Sequence, residues 1–293
     1  TNIDADHLET YDGDYDRLSE TFLEFLQRLP FYGLAVLCVD DKGVRQIIDD
    51  IAKPFVTYGI DNEADFRATD IRFDRTHTSF RISGPDRQEW LQINLNLPGK
   101  HNVLNALGAV AIAAAVGVTD ASIMKALQEF QGIARRCHVM GDIHLADKKV
   151  MVIDDYAHHP SEIRAILDAV RTGWPDTRIV AVFQPHRYTR TRDLFSEFCS
   201  VLAGIEVLIL MNVYPAGEPP VTGADSQTLC EAIAGHGKSK PVRVDNREQL
   251  LTELPGIVED GDILLIMGAG DIGSLGPELL AQYGNNEHQA SAN

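Results

Sequence analysis

In the second half of the chain, short apolar runs recur at near-regular intervals, at residues 150–153, 179–183, 207–210, 242–244 and 263–267. Each is too short for a helix and rich in Val, Ile and Leu, as a strand buried on both faces requires. Each is followed by a stretch with helical spacing of apolar residues, at 160–172, 192–203, 225–235, 247–258 and 273–283. A parallel strand pair needs a crossover long enough to hold a helix, so strict strand–helix alternation predicts a parallel sheet. Right-handed crossovers cover both its faces. The expected fold is therefore α/β, with a Rossmann-like, doubly wound parallel-sheet domain over 134–284.

The first half has a different pattern. Leu18, Phe22, Phe25, Leu26 and Leu29 recur at helical spacing over 16–29. Residues 34–39 read as a strand ending at Asp40-Asp41, residues 43–51 as a short helix and 56–58 as another strand. Alternation at 78–82 and 91–95 predicts half-exposed antiparallel strands. A Pro98-Gly99 turn then leads into an Ala-rich helix over 101–116, with a second helix over 120–130. The pattern breaks near 132–136, which sets the expected boundaries: a first domain over 1–133, the parallel-sheet domain over 134–284 and a disordered polar tail over 285–293.

A formal net charge of -17 over 293 residues argues against a non-specific nucleic-acid surface or an anionic membrane surface, while leaving room for small anionic substrates at local basic clusters. Cys38, Cys137, Cys199 and Cys230 show no C-x-x-C spacing, so neither a zinc ribbon nor a redox motif is supported, and idle thiols in a reducing, cytoplasmic setting are expected. No apolar run reaches the ~18 residues of a membrane span. The opening is polar and lacks an initiator Met, which suits a fragment or a processed product.

Chemistry-bearing residues concentrate where strands end. Asp154-Asp155-Tyr156-Ala157-His158-His159-Pro160 follows one strand, and Gln184-Pro185-His186-Arg187-Tyr188-Thr189-Arg190-Thr191-Arg192 follows the next. In a parallel sheet both emerge at the carboxyl edge, where open α/β sheets place their ligands. Arginines there suit a carboxylate or phosphate through forked, charge-assisted hydrogen bonds. Blander readings compete: Asp154 or Asp155 as a helix cap, the arginines as a solvated face, and His158-His159 as metal ligands, although adjacent histidines rarely share one ion. Leu97-Pro98-Gly99-Lys100-His101-Asn102-Val103-Leu104-Asn105 is not a P-loop; the G-x-x-x-x-G-K-[ST] spacing is absent throughout the sequence. Asn102 there could serve only as a cap. Gly268-Ala269-Gly270-Asp271-Ile272-Gly273 superficially fits a dinucleotide fingerprint, but it follows the last strand, and a tight turn bringing backbone near the other loops is the better reading.

Taken together, these motifs resemble the Mur ligases of peptidoglycan synthesis. Thr1-Asn2-Ile3-Asp4-Ala5-Asp6-His7 is similar to their segment after a central-domain strand, residues 99–105 to their adenine-side motif, and residues 132–136 to their domain junction. The two loops at 154–160 and 183–191, with Tyr214-Pro215-Ala216-Gly217-Glu218 and residues 267–273, resemble the branch that joins L-alanine to UDP-N-acetylmuramate. The resemblance implies an ATP- and Mg2+-dependent ligase working through an acyl phosphate. It implies that His7 ligates a magnesium ion, that His101, Asn102 and Asn105 face the adenine, and that Arg136 (or Arg135) reaches the phosphates. Asp155 would help hold the nucleotide, and Tyr156, His158, His186, Arg187 and Arg190 would surround L-alanine. His158 or His186 would accept the amine proton. Family members also have an N-terminal UDP-sugar domain and a P-loop, which the sequence lacks; the resemblance therefore makes 1–133 an incomplete central ATPase-type α/β domain for ATP binding, and on that reading the chain alone is expected to be inactive. A different ligase of the family, acting in peptide recycling or folate polyglutamylation, and a non-catalytic binding module remain the alternatives.

Overall fold

The computed structural model describes residues 1–5, 8–235 and 240–284. His7 and the tail at 285–293 lie outside the described residues. The chain divides into two compact units, Thr1–Gln131 and Gly132–Asn293.

The first unit opens with α1 (Tyr15–Gln27), capped by the Asp14 carboxylate, which accepts the Asp16 and Arg17 N–H groups. It continues through β1 (Ala35–Cys38), α2 (Lys42–Ile47), β2 (Phe55–Gly59), β3 (Phe66–Asp74), β4 (His77–Gly84), β5 (Arg87–Leu95), α3 (Lys100–Ala115) and α4 (Asp120–Glu129). One sheet runs in the order β1-β2-β3-β4-β5. β1, β2 and β3 are parallel neighbours, whereas β3, β4 and β5 form an antiparallel meander. β3, which no sequence pattern singles out, is thus the strand where the sheet changes sense. Alternation over 78–82 corresponds to Phe80 and Ile82 buried on one face with Arg81 exposed on the other. Those residues pack with Leu91 and Ile93 of β5 against Val103, Leu107 and Val110 of α3. The helix expected over 43–51 ends early: α2 stops at Ile47 and a 3-10 turn, Ile48–Asp50, follows.

The second unit contains β6 (His138–Leu145), β7 (Lys148–Asp155), α5 (Pro160–Gly173), β8 (Ile179–Phe183), α6 (Tyr188–Asp193), α7 (Phe195–Leu202), β9 (Val207–Met211), α8 (Ser226–Gly235), β10 (Val242–Val244), α9 (Arg247–Ile257), β11 (Ile263–Met267) and α10 (Leu275–Tyr283). The sheet order is β10-β9-β8-β11-β7-β6. Every pairing from β10 to β7 is parallel, and only β6 runs antiparallel, on the edge beside β7. Alternate residues of the central strands enter two separate cores. Ile153, Phe183, Leu210 and Leu265 meet Ile163 of α5, Phe198 of α7 and Leu229 of α8. Val152, Val182, Ile209 and Ile266 meet Leu250 of α9 and Leu275 and Leu279 of α10. Helices therefore cover both faces, as the strand–helix alternation predicts. Burying each such side chain contributes roughly 1.5–3 kcal/mol before chain entropy is set against it.

Two features depart from the sequence reading. β6 is an added antiparallel strand. The helix expected over 192–203 begins earlier and breaks at Leu194 into α6 and α7. β11 lies between β7 and β8, the strands that carry the two polar loops.

Candidate active site

The register aligns the strand ends: Asp155 of β7 and Phe183 of β8 both pair with Met267 of β11, and Phe183 also pairs with Leu210 of β9. The loops that follow therefore rise from a common rim.

The β7 loop is held from below by two buried acids. Asp155 accepts the N–H groups of Cys137 (2.6 Å) and Ala157 (2.7 Å) on its two oxygens. Burial pushes its carboxyl up to about 6, against the pull of those two bonds and of Arg136. Asp154 takes the Nε–H of Arg135 at 3.1 Å, and burial raises its carboxyl too, against that guanidinium. Neither acid caps α5. His159 does: its Nδ1 accepts the Ser161 N–H at 3.3 Å, while Glu162 returns to the His159 N–H at 3.2 Å, completing a capping box with Pro160 in the first turn.

Arg135 and Arg136, equivalent in the sequence pattern, have different surroundings. Arg135 has φ +60° and braces the rim from inside, bonded to Asp154, donating to the Gly268 carbonyl, and lying 5.0 Å over the Tyr156 ring. Arg136 is 52 % exposed, with its Nη1 3.4 Å from Glu162 Oε1 and its guanidinium 5.6 Å over the same ring. Arg136 is the one whose charged head lies at the surface.

On the β8 loop, buried Gln184 donates to Asp271 (2.7 Å) and accepts the Ile272 N–H (3.2 Å), tying β8 to the segment after β11. His186 stacks on Tyr214 at 5.5 Å and 13°, lies 5.8 Å from the His158 ring, and has Arg190 Nη1 3.4 Å from its Nδ1. Burial, reinforced by His158, Arg190 and Arg187, lowers its imidazole to about 4, so it is neutral near pH 7. Arg187 takes φ +70°, donates its N–H to the Tyr214 carbonyl (2.9 Å), and sits 3.8 Å from Glu218. Glu218 in turn accepts the Thr189 N–H (3.0 Å) and hydroxyl (2.7 Å). Tyr156 meets His158 edge-on at 5.3 Å. The structure thus brings Tyr156, His158, His186, Arg187 and Arg190 to one rim. It adds Tyr214, Glu218 and Glu162, to which the sequence pattern assigns no role. The signal for Glu162 is the acid three residues after a cap position, masked because histidine is an unusual cap.

The glycine-rich turn after β11 serves close packing. Gly268 has φ +148°, and a Cβ there would lie 2.9 Å from the Gln184 carbonyl oxygen. A Cβ on Gly270 would lie 2.7 Å from Tyr214 Cγ, and one on Gly273 2.5 Å from the Arg135 guanidinium. Gly268→Ala should therefore destabilise the second unit by about 2–3 kcal/mol, from backbone strain and the clash with backbone. Gly256→Ala, in α9 with nothing within 4 Å of the added carbon, should be neutral or slightly stabilising. Urea denaturation of the two variants checks this; equal midpoints would remove the packing argument.

In the first unit, Gly99, at φ +92°, caps α3, so Asn102 does not. The Asn102 side chain donates back to the Pro98 carbonyl at 2.8 Å, and Asn105 approaches it at 3.5 Å. His101, Asn102 and Asn105 thus share the opening turns of α3. Among the described residues no group of three His, Cys, Asp or Glu could hold a metal ion. All four cysteines are free and buried. Among the described residues no helix is long and apolar enough to cross a membrane.

Comparison with known proteins matches residues 1–113 to the Mur ligase middle domain and residues 135–270 to the Mur ligase glutamate ligase domain, one on each unit and in that order. The chain belongs to the Mur ligase family. Among solved Mur ligases, UDP-N-acetylmuramate-alanine ligase MurC from Thermotoga maritima superposes with a TM-score of 0.71 at 26% identity, covering 94% of this chain and 57% of that one. MurF ligase from Thermotoga maritima, in complex with ADP, gives 0.70 at 18% identity, covering 96% and 61%. A murein peptide ligase from Psychrobacter arcticus gives 0.62 at 24% identity, covering 92% and 55%. The chain spans less than two thirds of the length of each of these Mur ligases.

Proposed function

We propose that this chain supplies the middle and C-terminal domains of an ATP-dependent ligase that joins L-alanine to the carboxylate of UDP-N-acetylmuramate. The observation that carries the reading is the rim itself: two guanidinium groups, Arg187 and Arg190, beside a His186 held neutral, with His158 5.8 Å away. A neutral imidazole adds no charge beside the two guanidinium groups, of which Arg187 faces Glu218 at 3.8 Å, and such groups suit the carboxylate of an amino acid. The 26% identity with an alanine ligase supports alanine as that amino acid.

The chemistry has two steps. A carboxylate oxygen attacks the γ-phosphorus of ATP and ADP leaves; the amine then attacks the acyl carbon and phosphate leaves, with one amine proton passing to a base. Arg136, with its head at the surface, is the candidate for the phosphates, and His101, Asn102 and Asn105 for the adenine. Both Asp155 oxygens accept backbone N–H groups, which holds the β7 loop in place and leaves Asp155 a candidate for helping to hold the nucleotide.

The test is to express the complete reading frame encoding these residues and supply ATP, magnesium and UDP-N-acetylmuramate with either free L-alanine or an alanyl peptide. Phosphate release with L-alanine is expected; turnover with the peptide alone would overturn the reading. Within that assay, Arg190→Lys should raise the KM for L-alanine about 5- to 150-fold, the scale of one charge-assisted hydrogen bond, because an ammonium cannot reproduce a forked contact. The KM for ATP should change far less, and an unchanged alanine KM and kcat would remove Arg190 from the site.

A further inference from the structure

Glu162 does more than cap a helix. As the third residue of α5 it accepts the N–H groups of His158 (3.0 Å) and His159 (3.2 Å) on Oε2. The capping box requires only the second of these. The same oxygen also lies 3.3 Å from Nδ1 of the His158 ring, and Oε1 faces Arg136 at 3.4 Å. The His158 Nδ1 is 3.0 Å from the Tyr156 carbonyl oxygen as well. A carbonyl and a carboxylate can only accept, so Nδ1 must carry the proton, and in the neutral ring Nε2 is the nitrogen with a lone pair.

We propose that Glu162 is a positioning residue for His158: with the Tyr156 carbonyl it fixes the Nδ1–H tautomer, sets Nε2 as the proton-accepting nitrogen, and stabilises the imidazolium once the proton arrives. This rests on the proposed function, in which His158 takes the proton of the attacking amine. Among the described residues, the charged and titratable groups facing the ring include Glu162 on α5, Arg136 from the segment before β6, Tyr156 in the same loop and His186 after β8. Glu162 favours the protonated His158 ring and Arg136 opposes it. Although burial works against it, the Glu162 carboxyl is held below the usual range by the His158 N–H, the His158 ring, Arg136 and the His159 N–H.

Two substitutions should therefore move His158 in opposite directions. Glu162→Gln keeps an oxygen for the two backbone N–H groups but removes the charge, and should lower the His158 pKa by about one unit. Arg136→Ala removes the offsetting cation and should raise it. The measurement is an NMR titration of the histidine Cε1–H signals of the 293-residue chain without ligand, with His158→Gln to assign the resonance. It needs no catalytic turnover, so it decides the inference even if the ligase assay fails for the unaltered protein. His158 pKa values within about 0.2 of the unaltered chain in both variants would reduce Glu162 to a helix cap. Arg136 takes no part in that cap, so its variant keeps the test open should Glu162→Gln unfold the loop. In the complete reading frame, Glu162→Gln should also shift the acidic limb of the kcat profile to lower pH with the alanine KM unchanged. A uniform loss of activity at all pH values would point to a merely structural role.

Discussion

Replacing His158 by alanine should lower kcat for alanine ligation by about 10²- to 10⁴-fold, the usual contribution of a positioned proton acceptor. The two histidines of the rim are separated by their surroundings. His186 is buried beside two arginines and a second imidazole, which hold its ring at about 4. Such a ring is a poor acceptor for an ammonium proton, because its own protonated form is unstable at the working pH. His158 instead has the Glu162 carboxylate 3.3 Å from its Nδ1, which favours the protonated ring. His186→Ala should therefore act mainly on the KM for L-alanine, by removing the stack on Tyr214 and the neighbour of Arg190. Steady-state kinetics of both variants in the complete reading frame check the assignment. A His158→Ala enzyme retaining kcat within about threefold would reverse the roles.

The second large effect is one of stability and pH. The Asp155 carboxyl is raised from 3.8 to about 6 in the folded chain. A raised acid means that the fold disfavours its charged form: the cost is present above pH 6 and is relieved as pH falls from there toward 3.8. A rise of that size corresponds to about 3 kcal/mol. Asp155 is 6 % exposed, so screening by water does not discount the figure much. Asp155→Asn does not titrate, and its amide must oppose one of the two N–H donors at Cys137 and Ala157, a penalty that is constant with pH. The stability difference between the unaltered chain and Asp155→Asn should thus move by about 2.5 kcal/mol in favour of the unaltered chain between about pH 7.5 and pH 4. Chemical denaturation of the two proteins across that range measures it, and a difference flat with pH would mean that Asp155 is not destabilised by burial.

Much of the second unit is legible in the sequence because its central strands are buried on both faces, so β7, β8, β9 and β11 spell continuous apolar runs. The polar residues of the rim are legible for the complementary reason: a cluster of acids, histidines and arginines directly after such a run has to lie at the sheet edge. β6 is not legible. It carries Asp142 and His144 among its apolar residues, and a register shift between Val139 and Gly141 interrupts the alternation. The break at Leu194 is hidden because α6 and α7 follow without a Gly or Pro between them. An aspartate is the expected cap of α5 because histidine is not among the usual caps, and that expectation conceals Glu162 as well. Strand order leaves no trace in periodicity. What ties β8 to β11 is the buried Gln184, bonded to Asp271 and Ile272, a pairing across 87 residues that only the fold reveals.

The placement of β11 bears on how such a molecule comes into being on the ribosome. It is the last strand among the described residues, yet it occupies the interior of the sheet, with every side chain from Ile263 to Met267 fully buried. A nascent chain that has delivered β7 and β8 has both ligand-facing loops but an open seam between the strands that bear them. Both lips of that seam expose unpaired backbone and apolar surface, the condition that invites aggregation and chaperone binding. The long sequence separation between β7 and β11 makes closure a slow, late event. The rim is therefore closed only when β11, the last strand among the described residues, pairs with both β7 and β8.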